Sequence, residues 1–536
     1  SIHDKHLHPH LKAKRDVCSG NTASDRRSCC NDDVSTDYYN VVPDTGVTRE
    51  YYLDIQEVTV APDGYSRTAM AVNGSIPGPT IQADWGDNVI VHVTNKLASA
   101  NNGSSIHFHG IRQNYTSPND GVVSITQCST APGKTTTYKR RATQYGSSWY
   151  HSHIGLQAYE GVFGGILING PATENYDIDK GMLFFNDWSH QTVDELYDSA
   201  QASGPPMLDN GLMNGTNAYG DDDSTSQTGY RFNTSVSAGT FYRFRLVNAA
   251  VDTMFKFMID NHTLTVMAMD LVSIEPFNTT FLSIGMGQRY DVIVNADQST
   301  ENESFWIRAI PQEACSDNDS VDNIKGILYY GDFPSTPSTT AYSYTDDCDD
   351  MAMSDLVPYL KQSASLPYYN PSEPVTRVLW DNPTLLQIWN DDTSFTAESG
   401  VVKLTRANEW SYVVIETALT VPHPIHLHGH DFFVLAHGTG SYSSSDITTL
   451  TNPPRRDVAM LPGSGYLVVA FETDNPGAWF MHCHIGWHTE EGFAIQFLER
   501  YKEARQLIDY HTLHSTCKEW DDYVNESAVE EEDDGI

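Results

Sequence analysis

Two distant parts of this chain repeat one another. The first part reads IHFHG (106–110) and then YHSHIGLQAYEGV (150–162); the last part reads IHLHG (425–429) and then MHCHIGWHTEEGF (481–493). Within each block the match has no gaps: His151 and His153 align with His482 and His484, Gly155 with Gly486, and Gly161 with Gly492. Such self-similarity points to two structural units copied from one ancestor. Residues i and i+2 of a strand share a face, so each His-x-His pair presents two imidazoles side by side. The four pairs are His107/His109, His151/His153, His426/His428 and His482/His484. A symmetric meeting of the two units brings all eight imidazoles together, enough to hold several metal ions.

The differences between the copies carry a second message. Cys483 aligns with Ser152, His488 with Gln157, and His423 with Ser104, so one copy has three soft or borderline ligands and the other has none. Joint loss is expected if Cys483, His423 and His488 form a single site found only in the last unit. Two His and one Cys with a weak or absent axial donor make a blue copper electron-transfer centre. Phe493, aligned with Val162, stands in the axial direction and has no donor atom, which predicts three-coordinate copper of high reduction potential. In the HCH tripeptide Cys483 faces its own site while His482 and His484 face the cluster, so a few covalent bonds join the two. Such a pairing suits one-electron intake feeding a site that needs several electrons, as O₂ reduction to water does. A lone His-x-His is weak evidence, since most serve as hydrogen-bonding strand residues; four with matched spacing are specific. HLHPH (6–10) is one such weak match, and spacing alone leaves His430 open as a ligand.

The rest of the chain reads as short strands. NVIVHVTNKL, FGGILING, FYRFRLVNA, RYDVIVNA, SFWIRAI, GILYYG and GYLVVAF are rich in β-branched and aromatic residues, with turn formers between them. Helical periodicity is scarce, so the expected class is all-β, with sandwiches or barrels repeated to fill 536 residues. Composition shifts near 172 and 345 predict three domains, 1–171, 172–345 and 346–536. A net charge of −38 argues against nucleic acid, and no long apolar run suggests a membrane span. Secretion is expected from ten Asn-x-Ser/Thr sequons and from a leader-like segment, 1–15, that ends in Lys14-Arg15. If Cys483 binds metal, seven other cysteines allow at most three disulfides.

NGSIPGPTI (73–81), WGDNV (85–89), IHFHGIRQ, WYHSHIG, HPIHLHGH and HCHIGWHTEEGF resemble the copper-site motifs of multicopper oxidases, in particular of ascomycete laccases. The resemblance implies three cupredoxin-like β-sandwich or barrel domains and four copper ions. It gives the type 1 copper to His423, Cys483 and His488, and the type 2 copper to His107 and His426. The type 3 pair takes His109, His151 and His484 on one side and His153, His428 and His482 on the other, with no role for His430. DGVVSITQC is similar to a segment whose acidic residue, here Asp120, helps deliver protons. The ending EEEDDGI is similar to a channel-plugging tail, with Asp534 where serine is usual. The resemblance also implies disulfides Cys18–Cys29, Cys128–Cys517 and Cys315–Cys348, leaving Cys30 free. Phe493 departs from the ascomycete pattern, where leucine is usual.

The implied activity is one-electron oxidation of phenols and aromatic amines coupled to reduction of O₂ to water, in a secreted, glycosylated monomer. A carboxylate beside the type 1 site would accept the phenolic proton; Asp209 in PPMLDNGLMNG, or Asp221 to Asp223, offers one, although a turn-forming role is equally natural. Two other readings are a metallo-oxidase for iron(II) or copper(I), and an electron carrier without turnover. MAM (351–353) and GMG (285–287) fall short of a methionine-rich copper(I) segment.

Overall fold

The computed structural model describes residues 18–98, 103–299, 303–366 and 382–527. The leader-like segment 1–15, the EEEDDGI ending and the sequons at Asn102 and Asn302 lie outside the described residues.

All seven strand-like segments named above form strands. The alternating burial of Asn88–Asn95 shows why, since every second side chain enters the core. Apart from two small two-stranded sheets, the strands of the described residues sort into three pairs of sheets. In the first, Arg67–Val72, Thr48–Val60, Asn88–Asn95 and Thr135–Arg141 form one sheet, and Gly78–Asp84, Phe163–Asn169, Gly146–His151 and His107–His109 form the other. Leu53 and Ile55 from one sheet meet Ile81, Phe108 and Ile166 from the other in a single core. The middle pair has six and five strands between Ile178 and Tyr330, and the last has five and four between Val401 and Glu499. The middle and last cores merge, since Phe244, Val292 and Ile307 belong to the same buried cluster as Ile425, Val469 and Phe497.

The sequence repeat is also a repeat of register. His107 pairs with His151 across antiparallel strands, as His426 pairs with His482. The glycines Gly161 and Gly492, which follow the short helices Gln157–Glu160 and Gly486–Glu490, both have positive φ, where other residues are strained.

Helices are few among the described residues, and the longest of them was not marked in the sequence. Tyr510–Ser527 buries Leu513, Cys517 and Trp520, a stripe at i, i+4 and i+7 that covers Val122, Ile125 and Cys128 of the first unit. The disulfide Cys128–Cys517 fastens this helix, and Cys18–Cys29 and Cys315–Cys348 are also present, with Cys30 exposed and free.

Candidate metal centres

Strand geometry separates the two sets of ligands. His423 and His426 lie three apart on strand His423–Leu427, so they face opposite sides. Cys483 pairs with Ile425 and shares its side with His423, while His482 pairs with His426 on the other. The helix Gly486–Glu490 then folds His488 back onto the cysteine. Cys483 Sγ lies 3.5 Å from His488 Nδ1 and 3.8 Å from His423 Nδ1, and the two nitrogens are 3.1 Å apart. The ring of Phe493 stands edge-on to His423, with centroids 5.3 Å apart, and closes this corner without a donor atom.

On the opposite side the eight paired histidines form one buried cluster between the first and last units. His107 stacks on His428 at 3.9 Å and His109 on His426 at 3.8 Å. His107 is the repeat equivalent of His426, and His109 of His428, so the two stacks exchange under the repeat. That is the contact pattern of a two-fold axis.

Hydrogen bonds fix the tautomers. His107, His151, His426 and His482 each direct Nδ1 at a backbone carbonyl, of Asp120, Ser152, Asp457 and Cys483 respectively, at 2.8–2.9 Å. A carbonyl only accepts, so Nδ1 carries the proton and Nε2 keeps a bare lone pair. His428 Nδ1 donates to Asp120 Oδ2 at 2.8 Å, so its Nε2 is also bare, yet it faces His482 Nε2 at 3.2 Å. Two lone pairs at that distance repel unless a cation lies between or beside them. Likewise His109 gives Nε2–H to Asp457 Oδ1 at 3.1 Å, leaving Nδ1 to face His151 Nε2 at 3.3 Å. His107 Nε2, His426 Nε2, His153 Nδ1 and both ring nitrogens of His484 are buried without a hydrogen bond. An unmet buried polar atom costs roughly 1–3 kcal/mol; here they converge, as ligands do.

Electrostatics supports the same reading. Burial first, and the neighbouring imidazoles second, hold His153, His426 and His428 well below the usual histidine range. Burial lowers His423 to about 4 and pushes the Cys483 thiol up. The imidazoles are therefore neutral donors, and a thiolate at Cys483 needs a cation beside it. Nitrogen and thiolate donors in one corner with only imidazoles in the other fit copper. Among the described residues, the groups in these two places that can hold an ion include His423/Cys483/His488, His107/His426/His428, His153/His428/His482 and His107/His109/His151.

Carboxylates surround the cluster. Asp120 is fully buried and touches His428 through Oδ2, while its Oδ1 has no hydrogen bond. Asp209 accepts from Ser189 Oγ at 2.9 Å and from the His190 backbone N–H at 2.7 Å, so it closes a turn. Asp222 is held by Arg231 and Lys325. Two carboxylates meet the Cys483 corner: Glu491 acts on His488 directly, and Asp252 Oδ2 accepts from Trp487 Nε1 at 3.1 Å, one residue before His488. Burial, then the neighbouring Asp187, raises Asp252 well above the usual range. Its signal in the sequence is a lone acid in a loop, which no spacing marks. His430 turns away from the cluster, with Nε2 2.9 Å from the buried Glu499 carboxylate.

Sequence families agree with this geometry. Multicopper oxidase domains match residues 54–173, 179–331 and 368–503. The chain therefore belongs to the multicopper oxidase family. It is 46% identical to laccase-2 of Botryotinia fuckeliana over 97% of this chain and 94% of that one. The crystal structure of Botrytis aclada laccase superposes with a TM-score of 0.91 at 44% identity, covering 96% of this chain and all of the other. Fet3p, a multicopper oxidase that functions in iron import, matches less closely, with a TM-score of 0.75 at 25% identity over 91% of this chain and 97% of its own. Within the family the chain groups with the fungal laccases: an oxidoreductase built from three cupredoxin-like domains.

Proposed function

We propose that this laccase oxidises phenols and aromatic amines one electron at a time at the Cys483 corner and reduces O₂ to water at the histidine cluster. The reading assigns four copper ions: His423, Cys483 and His488 hold type 1, and His107 with His426 hold type 2. His109, His151 and His484 hold one type 3 ion, and His153, His428 and His482 the other. The observation that carries it is the two-fold exchange of the cluster. The repeat swaps His107 with His426, and maps His109, His151 and His484 onto His428, His482 and His153. One site therefore sits on the axis and the other two interchange, as this assignment requires. Copper in these sites would supply one-electron redox chemistry at the cysteine and multi-electron chemistry at the cluster.

The chain's own groups do the rest. Cys483 lies covalently between His482 and His484, so its backbone is the shortest bridge from corner to cluster. Asp252 beside Trp487 is placed to take the substrate's proton, which leaves Asp209 a turn residue. Asp120, whose Oδ1 makes no hydrogen bond and lies 3.3 Å from His107 Nδ1, is suited to hold a proton bound for oxygen. Copper(I) is a less favoured donor, since Met351 and Met353 pack against the core instead of forming an exposed methionine surface. We also read the chain as a secreted, glycosylated monomer with domains dividing near 172 and 345; its three disulfides suit an oxidising compartment. Among the described residues no helix is long and apolar enough to cross a membrane.

The test is oxygen consumption by the copper-loaded protein with a phenol and, separately, with iron(II), repeated on His482→Ala. Copper binding without O₂ uptake would sink the oxidase reading, and preference for iron(II) would move it to the metallo-oxidases.

A further inference from the structure

The middle domain supplies no histidine to the cluster, yet one of its turns forms a wall of it. The turn Gly285-Met286-Gly287-Gln288-Arg289 connects strand Leu282–Ile284 to strand Arg289–Asn295. Gly287 has φ of +84°, and a Cβ there would lie 2.9 Å from His484 Cδ2 and 3.0 Å from His109 Cε1. Any side chain would displace two rings that the ligand assignment gives to the same ion. The turn itself is pinned: Gly287 N–H donates to Asn248 O at 2.9 Å, and Gln288 Oε1 accepts from Gly285 N–H at 2.8 Å. Gln288 also reaches into the last domain, where its Nε2 donates to Val458 O at 3.1 Å and to Asp350 Oδ1 at 2.7 Å.

Arg289 completes the wall. Its guanidinium is buried and grips Asp457 with two parallel bonds, Nη1 to Oδ1 at 2.6 Å and Nη2 to Oδ2 at 2.7 Å. A bidentate fork of this kind fixes a carboxylate's plane as well as its position. Asp457 Oδ1 then receives Nε2–H of His109, and the Asp457 carbonyl receives Nδ1–H of His426. Gly110, next to His109, leaves the space that the fork occupies, since a Cβ there would meet both Arg289 Nη2 and Asp457 Oδ2. One arginine of the middle domain thus sets, through one aspartate, which nitrogen of His109 is free.

We propose that Gly287 and Arg289 are positioning residues for the ion held by His109, His151 and His484. Arg289 fixes the tautomer and orientation of His109 through Asp457, and Gly287 leaves room for the rings of His109 and His484. The inference rests on the ligand assignment proposed above. It makes the middle domain part of the oxygen-reducing centre and gives the GMG segment a role as wall instead of methionine ligand.

The experiment compares the copper-loaded parent with Arg289→Met, which removes the fork, and Gly287→Ala, which adds one methyl group and leaves Asp457 alone. Copper content, the visible absorption of the copper–thiolate corner and the paramagnetic resonance signal per copper are read for each. Loss of an outer partner lowers metal affinity roughly 10–100-fold. Both variants should therefore keep the thiolate absorption, lose copper from the cluster, and gain resonance signal as a coupled pair becomes a single ion. Melting curves of the copper-free proteins separate folding from metal binding: Arg289→Met leaves the buried Asp457 carboxylate unpaired and should melt below the parent even without copper, so copper content and spectra are compared at temperatures where every protein is folded. Parental copper content and resonance signal in Arg289→Met would overturn the proposal, as would equal destabilisation of the copper-free and loaded forms with unchanged spectra. A parent that takes up no cluster copper would remove the ligand assignment itself, and this inference with it.

Discussion

The first and last domains follow one sequence pattern around HSHIGLQ and HCHIGWH, and only the last offers three candidate metal ligands at its corner. In both, the residue before the second histidine of the pair donates its backbone N–H across the turn, Ser152 to Val162 O at 3.0 Å and Cys483 to Phe493 O at 3.1 Å. In the first domain Ser152 Oγ donates to Gln157 Oε1 at 2.9 Å, and Gln157 Nε2 donates to Gly103 O at 2.7 Å. Ser152 and Gln157 satisfy one another there. In the last domain the same positions offer a thiol and an imidazole, joined by His423, whose Nε2 is buried without a hydrogen bond. Three side chains at aligned positions separate a structural corner from the proposed electron-entry site.

The largest break in that comparison is Cys483→Ser, which gives the last domain the first domain's residue. The copper–thiolate absorption should vanish and phenol oxidation should fall by more than the roughly 10–100-fold typical of an outer partner. Retention of either would remove the cysteine from the centre. His482→Ala is the next break, since it touches the half of the motif that both copies share. The visible thiolate band should persist while O₂ uptake stops, a split that absorption and an oxygen electrode check together. Asp120→Asn acts one shell further out, and a loss of roughly 10–100-fold in turnover is expected with the thiolate band unchanged.

A smaller effect is expected from Asp252→Asn. Burial keeps Asp252 protonated above the usual carboxylate range, so its proton-accepting form grows in as pH rises. Phenol kcat/KM should rise with pH through that interval in the parent and flatten in the variant, while a donor that gives up no proton shows neither change. A parental pH profile in Asp252→Asn would return the role to another group. Smallest of all, Phe493→Met sharpens the corner without altering the fold. A thioether beside the copper should lower its reduction potential in a redox titration, with copper content unchanged.

Much of this was legible in sequence. Strands such as Phe241–Asn248 were visible because β-branched and aromatic runs have few other places to go. The eleven candidate ligands were visible because His-x-His spacing fixes faces within a strand, and because a repeat gives every position a control. The helix Tyr510–Ser527 was overlooked although Leu513, Cys517 and Trp520 lie at helical spacing, since its stripe is short and its surroundings are β. Asp252, Asp457 and Arg289 were not marked at all. A single charged residue has no period, and its partner is far away in the chain, as Arg289 is from Asp457.

The sequence by itself determined the strands and which residues of HCHIGWH share a face, because these depend on neighbours within a few residues, and it showed the duplication as a direct match of two segments. Only the tertiary structure decided which nitrogen of each histidine is free, which carboxylates meet the Cys483 corner, and that a middle-domain turn walls the cluster. Those choices depend on hydrogen bonds and close contacts between domains, and no local pattern in a chain records what will be packed against it.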